Sequence, residues 1–248
     1  MRLLKRNEAP AHCEEWALAA DLLSSPLVRT SYVYGPPGIG KTYAAYNVGR
    51  TTAGVFPITL TPETPASELM GHYIPRGSEL AWQHGPFANA MRAGGRLVIN
   101  EISHASSDVL AILYPVLESI ETAQLMLPTG EIIRPAEGFN VVATDNAPPD
   151  SLPEALQDRF DCLICLSKPH PAVFAMLNPA LRRAAERSFT LDDERRISCR
   201  RWMTISQLME TMGTEKACCA VLGSPRGKQI YEAIVLAQGA SAVAGEAV

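Results

Sequence analysis

The feature that most constrains the fold of this chain is a glycine-rich segment between an apolar run and a helical pattern. Its residues are Gly35, Pro36, Pro37, Gly38, Ile39, Gly40, Lys41 and Thr42, with the spacing G-x-x-x-x-G-K-T. Glycine lets backbone N–H groups turn toward phosphate oxygens, because no Cβ obstructs the approach. The start of the following helix adds partial positive charge. The segment therefore predicts a phosphate-binding loop and a nucleoside triphosphate site.

The residues at the end of the loop have separate expected roles. Lys41 is expected to contact the β- and γ-phosphates, and the Thr42 hydroxyl is expected to bind Mg²⁺. Tyr43, the next residue along the helix, completes the predicted nucleotide-contacting segment. A glycine-rich turn with a chance lysine is the alternative, and the strand-to-helix setting disfavours it. The pattern thus predicts a nucleoside triphosphate with Mg²⁺ and leaves open whether the nucleotide is ATP or GTP, because the loop contacts phosphates rather than the base.

A second group must hold the metal and activate water, and we expect it where a buried strand ends. Residues 96–101 (RLVINE) are an apolar run that ends in Asn100 and Glu101. Glu101 is predicted to polarise water for in-line attack on the γ-phosphate. Asn100 stands where an aspartate usually orders Mg²⁺ through its water shell, and asparagine can hold a metal-bound water by hydrogen bonding. We predict slower hydrolysis or a weaker dependence on Mg²⁺, and a faster rate on Asn100→Asp.

The alternation of apolar runs with helical patterns predicts an α/β fold. The runs are short and mostly rich in Val, Ile or Tyr, as expected for strands covered on both faces. The predicted strands are residues 31–34, 55–60, 96–100, 140–144 and 162–166, and the predicted helices are residues 14–23, 41–50, 87–93 and 106–119. This order predicts a P-loop NTPase domain of three layers, with a parallel sheet between helices, over residues 1–167.

The pattern changes after residue 166. Residues 167–171 (SKPHP) break the chain, and only helical patterns follow. The predicted helices are residues 172–188, 198–212, 215–222 and 227–238. They predict a small all-α lid domain over residues 168–248, and residues 239–248 are expected to be a frayed, flexible tail.

Composition argues against several classes of protein. Lys and Arg number 22 against 26 Asp and Glu, so the net charge of -4 provides no global basic field for nucleic acid. No apolar run approaches the roughly 18 residues that a membrane span needs. The first residues lack the apolar region of a secretory signal. We therefore expect a cytoplasmic protein without a membrane segment.

The six cysteines do not form a disulfide framework. They are scattered, apart from adjacent Cys218 and Cys219, in a chain large enough to fold without disulfides, so reduced thiols are expected. Cys162 and Cys165 have the spacing of half a zinc site, but no second pair stands at ligand spacing. The apolar run around them predicts a buried strand instead.

With these residues considered, the chain resembles the AAA+ ATPases, specifically their MoxR and CbbQ branch, over nearly everything from about residue 16 to about residue 234. Residues 61–90, with the stretches ELMGHY and WQHGPF, resemble the insert in the second helix that faces the central pore in that branch. Residues 123–134 resemble the hairpin before sensor 1. Residues 139–146 (FNVVATDN) resemble the sensor 1 strand, and residues 152–160 (LPEALQDRF) resemble the segment that supplies the arginine finger.

The resemblance implies roles for further polar residues. Asn146 is implied as the sensor that hydrogen-bonds the attacking water or the γ-phosphate. Arg159 is implied as a finger that acts on a neighbouring subunit's nucleotide, although a structural ion pair with a nearby carboxylate is an alternative. Sensor 2 is assigned to Arg200 in the stretch ISCR. Arg226, in the stretch SPR before a helix, is a rival, and Arg201 is also open.

The resemblance also implies a function. The chain is expected to form a ring, hexameric in the main expectation, and to use ATP hydrolysis to remodel or activate a client protein, in the manner of a chaperone. A separate protein with a von Willebrand A-type domain is an expected partner in this branch. Two alternatives stay open: a DNA-linked module, such as a transposition regulator, helicase loader or phage-encoded motor, and a nucleotide-gated assembly protein with little hydrolysis. Nucleic acid is a conceivable partner that the sequence does not indicate.

Overall fold

The computed structural model describes residues 14–49, 53–189 and 196–245, with side chains as far as residue 236. The chain divides into two compact units. The first consists of Met1–Gly35 and Lys41–Leu166, and the second of Pro36–Gly40 and Ser167–Val248. The tip of the glycine-rich loop therefore groups with the C-terminal helices, whereas its first glycine and its lysine group with the sheet.

The first unit contains all the strands of the described residues. These are β1 (Thr30–Tyr34), β2 (Val55–Thr59), β3 (Gly71–Arg76), β4 (Glu79–His84), β5 (Arg96–Asn100), β6 (Leu125–Met126), β7 (Ile132–Ile133), β8 (Asn140–Asp145) and β9 (Cys162–Cys165). Its helices are α1 (Glu14–Ser24), α2 (Lys41–Asn47), α3 (Ala66–Met70), α4 (Pro86–Ala93), α5 (Ser107–Leu117) and α6 (Glu154–Gln157). Short 3₁₀ turns span Ile102–His104 and Pro149–Ser151.

The main sheet confirms the predicted α/β fold. Its strand order is β2-β5-β8-β1-β9, and every neighbouring pair is parallel. Asn100 pairs with Thr144, and Tyr34 pairs with Asp145, so the carboxyl ends of β5, β8 and β1 lie side by side. Parallel strands need crossover connections, and helices provide them here. The arrangement brings the polar residues after three strands to one edge of the sheet.

A buried arginine ties the other end of the sheet to two helices. Arg96, at the start of β5, is 1% exposed. Its guanidinium donates to Asn140 Oδ1 at 2.7 Å, to Ala45 O at 3.1 Å and to Leu23 O at 3.0 Å. Burial lowers the pKa of Arg96 to about 10. The side chain thus satisfies carbonyls near the ends of α1 and α2, which lack partners within a helix.

The prediction of a buried strand around Cys162 and Cys165 is wrong. β9 lies at the edge of the sheet and pairs with β1 alone among the described residues. Cys165 is exposed, and Leu163 is 47% exposed. A short apolar run does not reveal which strand lies at an edge, because an edge strand can keep an apolar sequence.

Two hairpins extend the first unit beyond its main sheet. β3 and β4 pair antiparallel, and Tyr73 packs edge-on against Trp82 with ring centroids 5.0 Å apart. β6 and β7 form a shorter antiparallel pair. Of the two, only the hairpin β6–β7 was predicted, through the family resemblance; residues 71–84 were predicted to belong to an insert, without a hairpin. Tyr73, at 53% exposed, and Met126, at 62%, leave apolar surface on the hairpins.

The second unit is helical in its described residues. Its helices are α7 (Pro171–Met176), α8 (Pro179–Ser188), α9 (Cys199–Met212), α10 (Thr214–Leu222) and α11 (Ser224–Gly245). Trp202 is 1% exposed at the centre of this unit, and its indole N–H donates to Ser188 Oγ at 2.9 Å. This hydrogen bond lets the aromatic ring be buried without an unpaired donor.

Two helix predictions for this unit are wrong. The predicted helix over residues 172–188 is two helices, because the Asn178 side chain caps Ala180 N and Pro179 begins a new helix. The predicted helix over residues 227–238 is longer, since α11 begins at Ser224 and continues as far as Gly245, and the fraying expected of residues 239–248 stays a prediction. Alanine is the strongest helix former, and this segment is rich in it. Residues 246–248 lie outside the described residues, as do Cys13 and Arg50, the last residue of one predicted helix.

None of the helices in the described part of the chain combines the length and the apolar character that crossing a membrane requires.

Candidate functional site

The glycine-rich loop joins the end of β1 to the start of α2, as predicted. Gly35, Gly38 and Gly40 have φ angles of 142°, 74° and 114°, in the region that favours glycine. Within the second unit, a Cβ on Gly38 would lie 2.2 Å from the Cβ of Ser198. The backbone of the loop therefore requires glycine at these positions, and this backbone can present N–H groups to an anion.

The ammonium of Lys41 lies at the centre of the first unit's part of the site. Its Nζ donates to Gly35 O at 2.8 Å and to Asn146 Oδ1 at 2.9 Å, and Lys41 is only 8% exposed. Burial lowers the pKa of Lys41 to about 8, against the opposing effect of the charges of Glu101 and Asp145. The structure thus brings together the loop lysine, which follows β1, and the predicted sensor residue, which follows β8. These two strands are neighbours in the sheet.

Asn100 uses both ends of its side-chain amide within the sheet. Its Oδ1 accepts from Thr144 Oγ1 at 2.9 Å, and its Nδ2 donates to Ile58 O at 3.3 Å. Asn100 is 8% exposed, with β2 on one side and β8 on the other. The carboxamide therefore links three strands, and a role in holding a metal-bound water stays a prediction.

Glu101 has an unusual backbone conformation. Its φ of 57° and ψ of 48° place it in the left-handed region, and it is the one described non-glycine residue with a positive φ. The Glu101 N–H donates to Thr144 O at 2.8 Å, and Glu101 O accepts from His104 N at 3.0 Å. Such strain persists where the surroundings enforce it, and it concentrates at functional sites. The conformation turns the chain sharply at the sheet edge.

Asp145 is a residue of the site whose role the sequence reasoning missed. It ends β8, directly before Asn146, and is 3% exposed. Its Oδ2 accepts from Ser103 N at 2.7 Å, and its Oδ1 accepts from Asn146 N at 2.7 Å and from Ala147 N at 3.1 Å. An acidic residue at the carboxyl end of a buried strand was the available signal, because such a position adjoins the loops of the site.

Arg159, the predicted finger, is held by contacts within its own chain. Its Nη2 lies 2.5 Å from Glu118 Oε1, and its Nη1 donates to Ala155 O at 2.5 Å. The guanidinium carbon lies 4.9 Å from the centroid of the Tyr114 ring. The Nε of Arg159 is buried and has no hydrogen-bond partner among the described residues. The ion pair considered as the alternative role is thus present, and the role in a neighbour's site stays a prediction.

The candidates for sensor 2 lie in the second unit. Arg200 is exposed in the first turn of α9, beside Arg201, which is also exposed. The N–H of Cys199, at the start of this helix, donates to Gly38 O at 3.0 Å. Arg226 lies at the start of α11, and its Nη2 donates to Arg196 O at 3.3 Å. The contact through Cys199 places the first turn of α9 against the loop tip.

The residues fit a nucleotide with Mg²⁺. Three positive-φ glycines shape the loop, Lys41 provides a buried cation, and Thr42 is an exposed residue at the start of α2. In the described ranges, no group of three or more His, Cys, Asp or Glu side chains is arranged to hold a metal ion. Mg²⁺ is bound in such sites by few protein ligands together with phosphate oxygens and water, so an all-protein cage is not needed.

The fold and the loop together define a P-loop nucleotide-binding protein. The AAA domain of the dynein-related subfamily matches residues 31–160, which is more than half of the chain. The chain therefore belongs to this family of AAA+ proteins, and the predicted resemblance to its MoxR and CbbQ branch is confirmed. Membership of this family agrees with the nucleotide-binding loop described above.

Three relatives match part of the chain. Protein NorQ of Paracoccus denitrificans is 33% identical over 116 residues, which cover 45% of this chain and 42% of NorQ. The denitrification regulatory protein NirQ of Stutzerimonas stutzeri is 27% identical over 116 residues, which cover 46% of this chain and 42% of NirQ. Midasin of Dictyostelium discoideum is 30% identical over 148 residues, or 58% of this chain and 2% of midasin. The matches thus span less than half of each relative.

Among solved structures, NtrX from Brucella abortus has a similar fold. The TM-score is 0.58 at 12% sequence identity, over 80% of this chain and 51% of that chain. At this identity the similarity supports the α/β fold with its helical C-terminal region and carries no statement about activity.

Proposed function

We propose that this chain binds ATP with Mg²⁺, hydrolyses it, and uses the hydrolysis to remodel or activate a partner protein. The observation that carries the proposal is the hydrogen bond of 2.9 Å between Lys41 Nζ and Asn146 Oδ1 at the sheet edge, next to Glu101. A lysine from the phosphate loop, an amide after β8 and a carboxylate after β5 are the groups that phosphoryl transfer to water needs.

Each residue has a defined part in the proposed reaction. Backbone N–H groups of the loop and the Lys41 ammonium hold the phosphates, and Glu101 accepts a hydrogen bond from the attacking water and polarises it. Asn146 leaves Lys41 when nucleotide enters and donates its amide N–H to the γ-phosphate or the water. Bound Mg²⁺ would neutralise charge on the β- and γ-phosphates, with Thr42 as its protein ligand.

A second candidate is a nucleotide-gated assembly protein with little turnover. The geometry of Asn100 favours it, because both ends of the amide are engaged by Thr144 and Ile58. Turning this side chain toward the metal's water shell would break both hydrogen bonds. On this candidate, ATP binding alone drives assembly.

We further propose that the subunits form a ring, with six subunits as the expected number, in which Arg159 acts in trans. The transition state for phosphoryl transfer spreads negative charge over the γ-phosphate, and a guanidinium from a neighbour stabilises that charge. Arg159 can move from Glu118 at modest cost, since this ion pair is partly exposed, with side-chain exposures of 25% and 41%. Hydrolysis then depends on assembly.

We assign sensor 2 to Arg200. The support is the hydrogen bond from Cys199 N to Gly38 O at 3.0 Å, which joins the start of α9 to the loop tip within the second unit. Arg200 follows directly and is exposed, whereas Arg226 is engaged with Arg196 O. A cation at this position would report the presence of the γ-phosphate to the helices of the lid.

The client is proposed by analogy. NirQ is named as a denitrification regulatory protein, and by this analogy we propose that the chain regulates another protein. A separate protein with a von Willebrand A-type domain is the partner that the branch implies. The exposed hairpins β3–β4 and β6–β7 are the surfaces through which we propose that the chain contacts its client.

The test is ATP turnover with Mg²⁺ over a series of protein concentrations, with Lys41→Ala and Glu101→Gln as controls. Turnover per subunit that rises with concentration and disappears in both controls would support an assembling ATPase. Arg159→Ala should bind ATP normally and lose turnover at every concentration. ATP-dependent assembly without turnover in the wild type would favour the second candidate, and absence of ATP binding would overturn both.

A further inference from the structure

The buried carboxylate of Asp145 lies in the site but has no part in the proposed reaction. At 3% exposure it is one of the most buried ionisable side chains described, and its charge acts on Lys41 and raises that residue's pKa. A buried carboxylate is costly unless hydrogen bonds satisfy its oxygens. A buried carboxylate at this position in the site therefore needs a structural explanation.

The hydrogen bonds of Asp145 connect two separate turns. Oδ2 accepts from the N–H of Ser103, in the 3₁₀ turn that follows Glu101. Oδ1 accepts from the N–H groups of Asn146 and Ala147, in the turn that follows β8. Each oxygen therefore serves one turn, and the carboxylate spans the gap between them. Charge-assisted bonds of this kind are about twice as strong as neutral ones.

The turn that carries Glu101 is held by β8 at two successive points. Glu101 N donates to Thr144 O at 2.8 Å, and Ser103 N donates to Asp145 Oδ2 at 2.7 Å. The left-handed conformation of Glu101 needs such support, because a non-glycine residue is unfavourable there. On the other side, Tyr32 Oη donates to Ala147 O at 2.7 Å and closes the turn that carries Asn146.

We propose that Asp145 is a positioning residue, whose carboxylate fixes the turn carrying Glu101 against the turn carrying Asn146. The water-polarising carboxylate and the sensor amide thereby keep their separation when Asn146 leaves Lys41 for nucleotide. The inference rests on the proposed ATP hydrolysis. It requires two acceptor oxygens at position 145, since every partner is an N–H donor.

The test compares Asp145→Asn with Asp21→Asn, a matched control at an exposed position of α1. Asparagine has the shape of aspartate but presents an amide N–H₂ where one acceptor was, so one of the two turns loses its anchor. We expect kcat to fall about tenfold or more, with KM and the Kd for ATP changed by less than about twofold. Asp21→Asn should leave all three values unchanged.

A second variant, Asp145→Ser, covers the case in which Asp145→Asn does not fold. Its hydroxyl can accept from one turn but is too short to span both, so kcat should again fall while the Kd for ATP is kept. Unchanged kcat in either folded variant would overturn the inference. A parallel loss of kcat, ATP affinity and thermal stability would also overturn it, because this result would indicate a structural role alone. A wild-type protein that binds ATP without turnover would instead overturn the proposed hydrolysis itself.

Discussion

Raising the pH above 8 is expected to weaken ATP binding through Lys41. The pKa of this buried lysine is lowered from 10.5 to about 8. Half of the apo protein therefore carries the ammonium at pH 8, and only about one tenth carries it at pH 9. Phosphate oxygens favour the charged ammonium of Lys41, so the binding of ATP at pH 9 should take up about 0.9 proton. The affinity for ATP should fall about fivefold from pH 8 to pH 9.

The assay is titration calorimetry with ATP at pH 9 in buffers of different ionisation enthalpy. The slope of observed enthalpy against buffer enthalpy gives the number of protons taken up. Lys41→Arg is the matched control, because a guanidinium stays charged at this pH and should show a slope near zero. A wild-type slope near zero, or an equal slope in Lys41→Arg, would refute the reasoning.

The same lowered pKa sets a pH dependence of stability in the apo protein. Between about pH 8 and 10.5, the unfolded chain keeps a proton on Lys41 that the folded protein has released. The unfolded state then binds more protons, so the contribution of this group to the free energy of unfolding rises with pH across that window and is lost as the pH falls through 8.

Three further predictions concern other parts of the chain. Glu118→Gln should release Arg159 and raise turnover per subunit at low protein concentration. The free energy of unfolding should change by less than about 1 kcal/mol, because the ion pair is partly exposed. An unchanged dependence of turnover on protein concentration would contradict this prediction. Asn100→Asp should lower the free energy of unfolding by about 1–3 kcal/mol in urea, because a carboxylate oxygen would face the carbonyl of β2, and turnover should rise if residue 100 limits hydrolysis. Trp202→Phe should lower the thermal midpoint by removing the hydrogen bond to Ser188, and Ser188→Ala should not add to its effect.

The parts of the fold that sequence could predict are those fixed by local pattern. The strand-to-helix setting of Lys41 and the apolar run before Asn100 place β1, α2 and β5 within a few residues. Pro179 was a signal for the start of a new helix, because proline favours the first turn. The helical pattern on both sides of it nevertheless led to the prediction of a single helix. The edge position of Cys165 depends on strand order, which no local pattern contains.

The parts of the site that sequence could not predict depend on where side chains meet. Thr144 and Asn100 lie far apart in the chain, and only the parallel register between β5 and β8 makes them hydrogen-bond partners. The position of Asp145 at the carboxyl end of a buried strand was visible in the sequence, but its bonds to backbone N–H groups were not, because such partners leave no sequence pattern. The roles of Arg159 and Arg200 stay predictions.

The left-handed backbone of Glu101 has a consequence for laboratory evolution of this protein. Glycine occupies that conformation freely and asparagine tolerates it, so replacing Glu101 by either residue relieves about 1 kcal/mol of strain. A screen that selects only for heat resistance should therefore enrich Gly or Asn at this position. The selected variants would be more stable but would lack the carboxylate proposed to polarise water. A stability screen on this chain therefore needs a second selection for turnover.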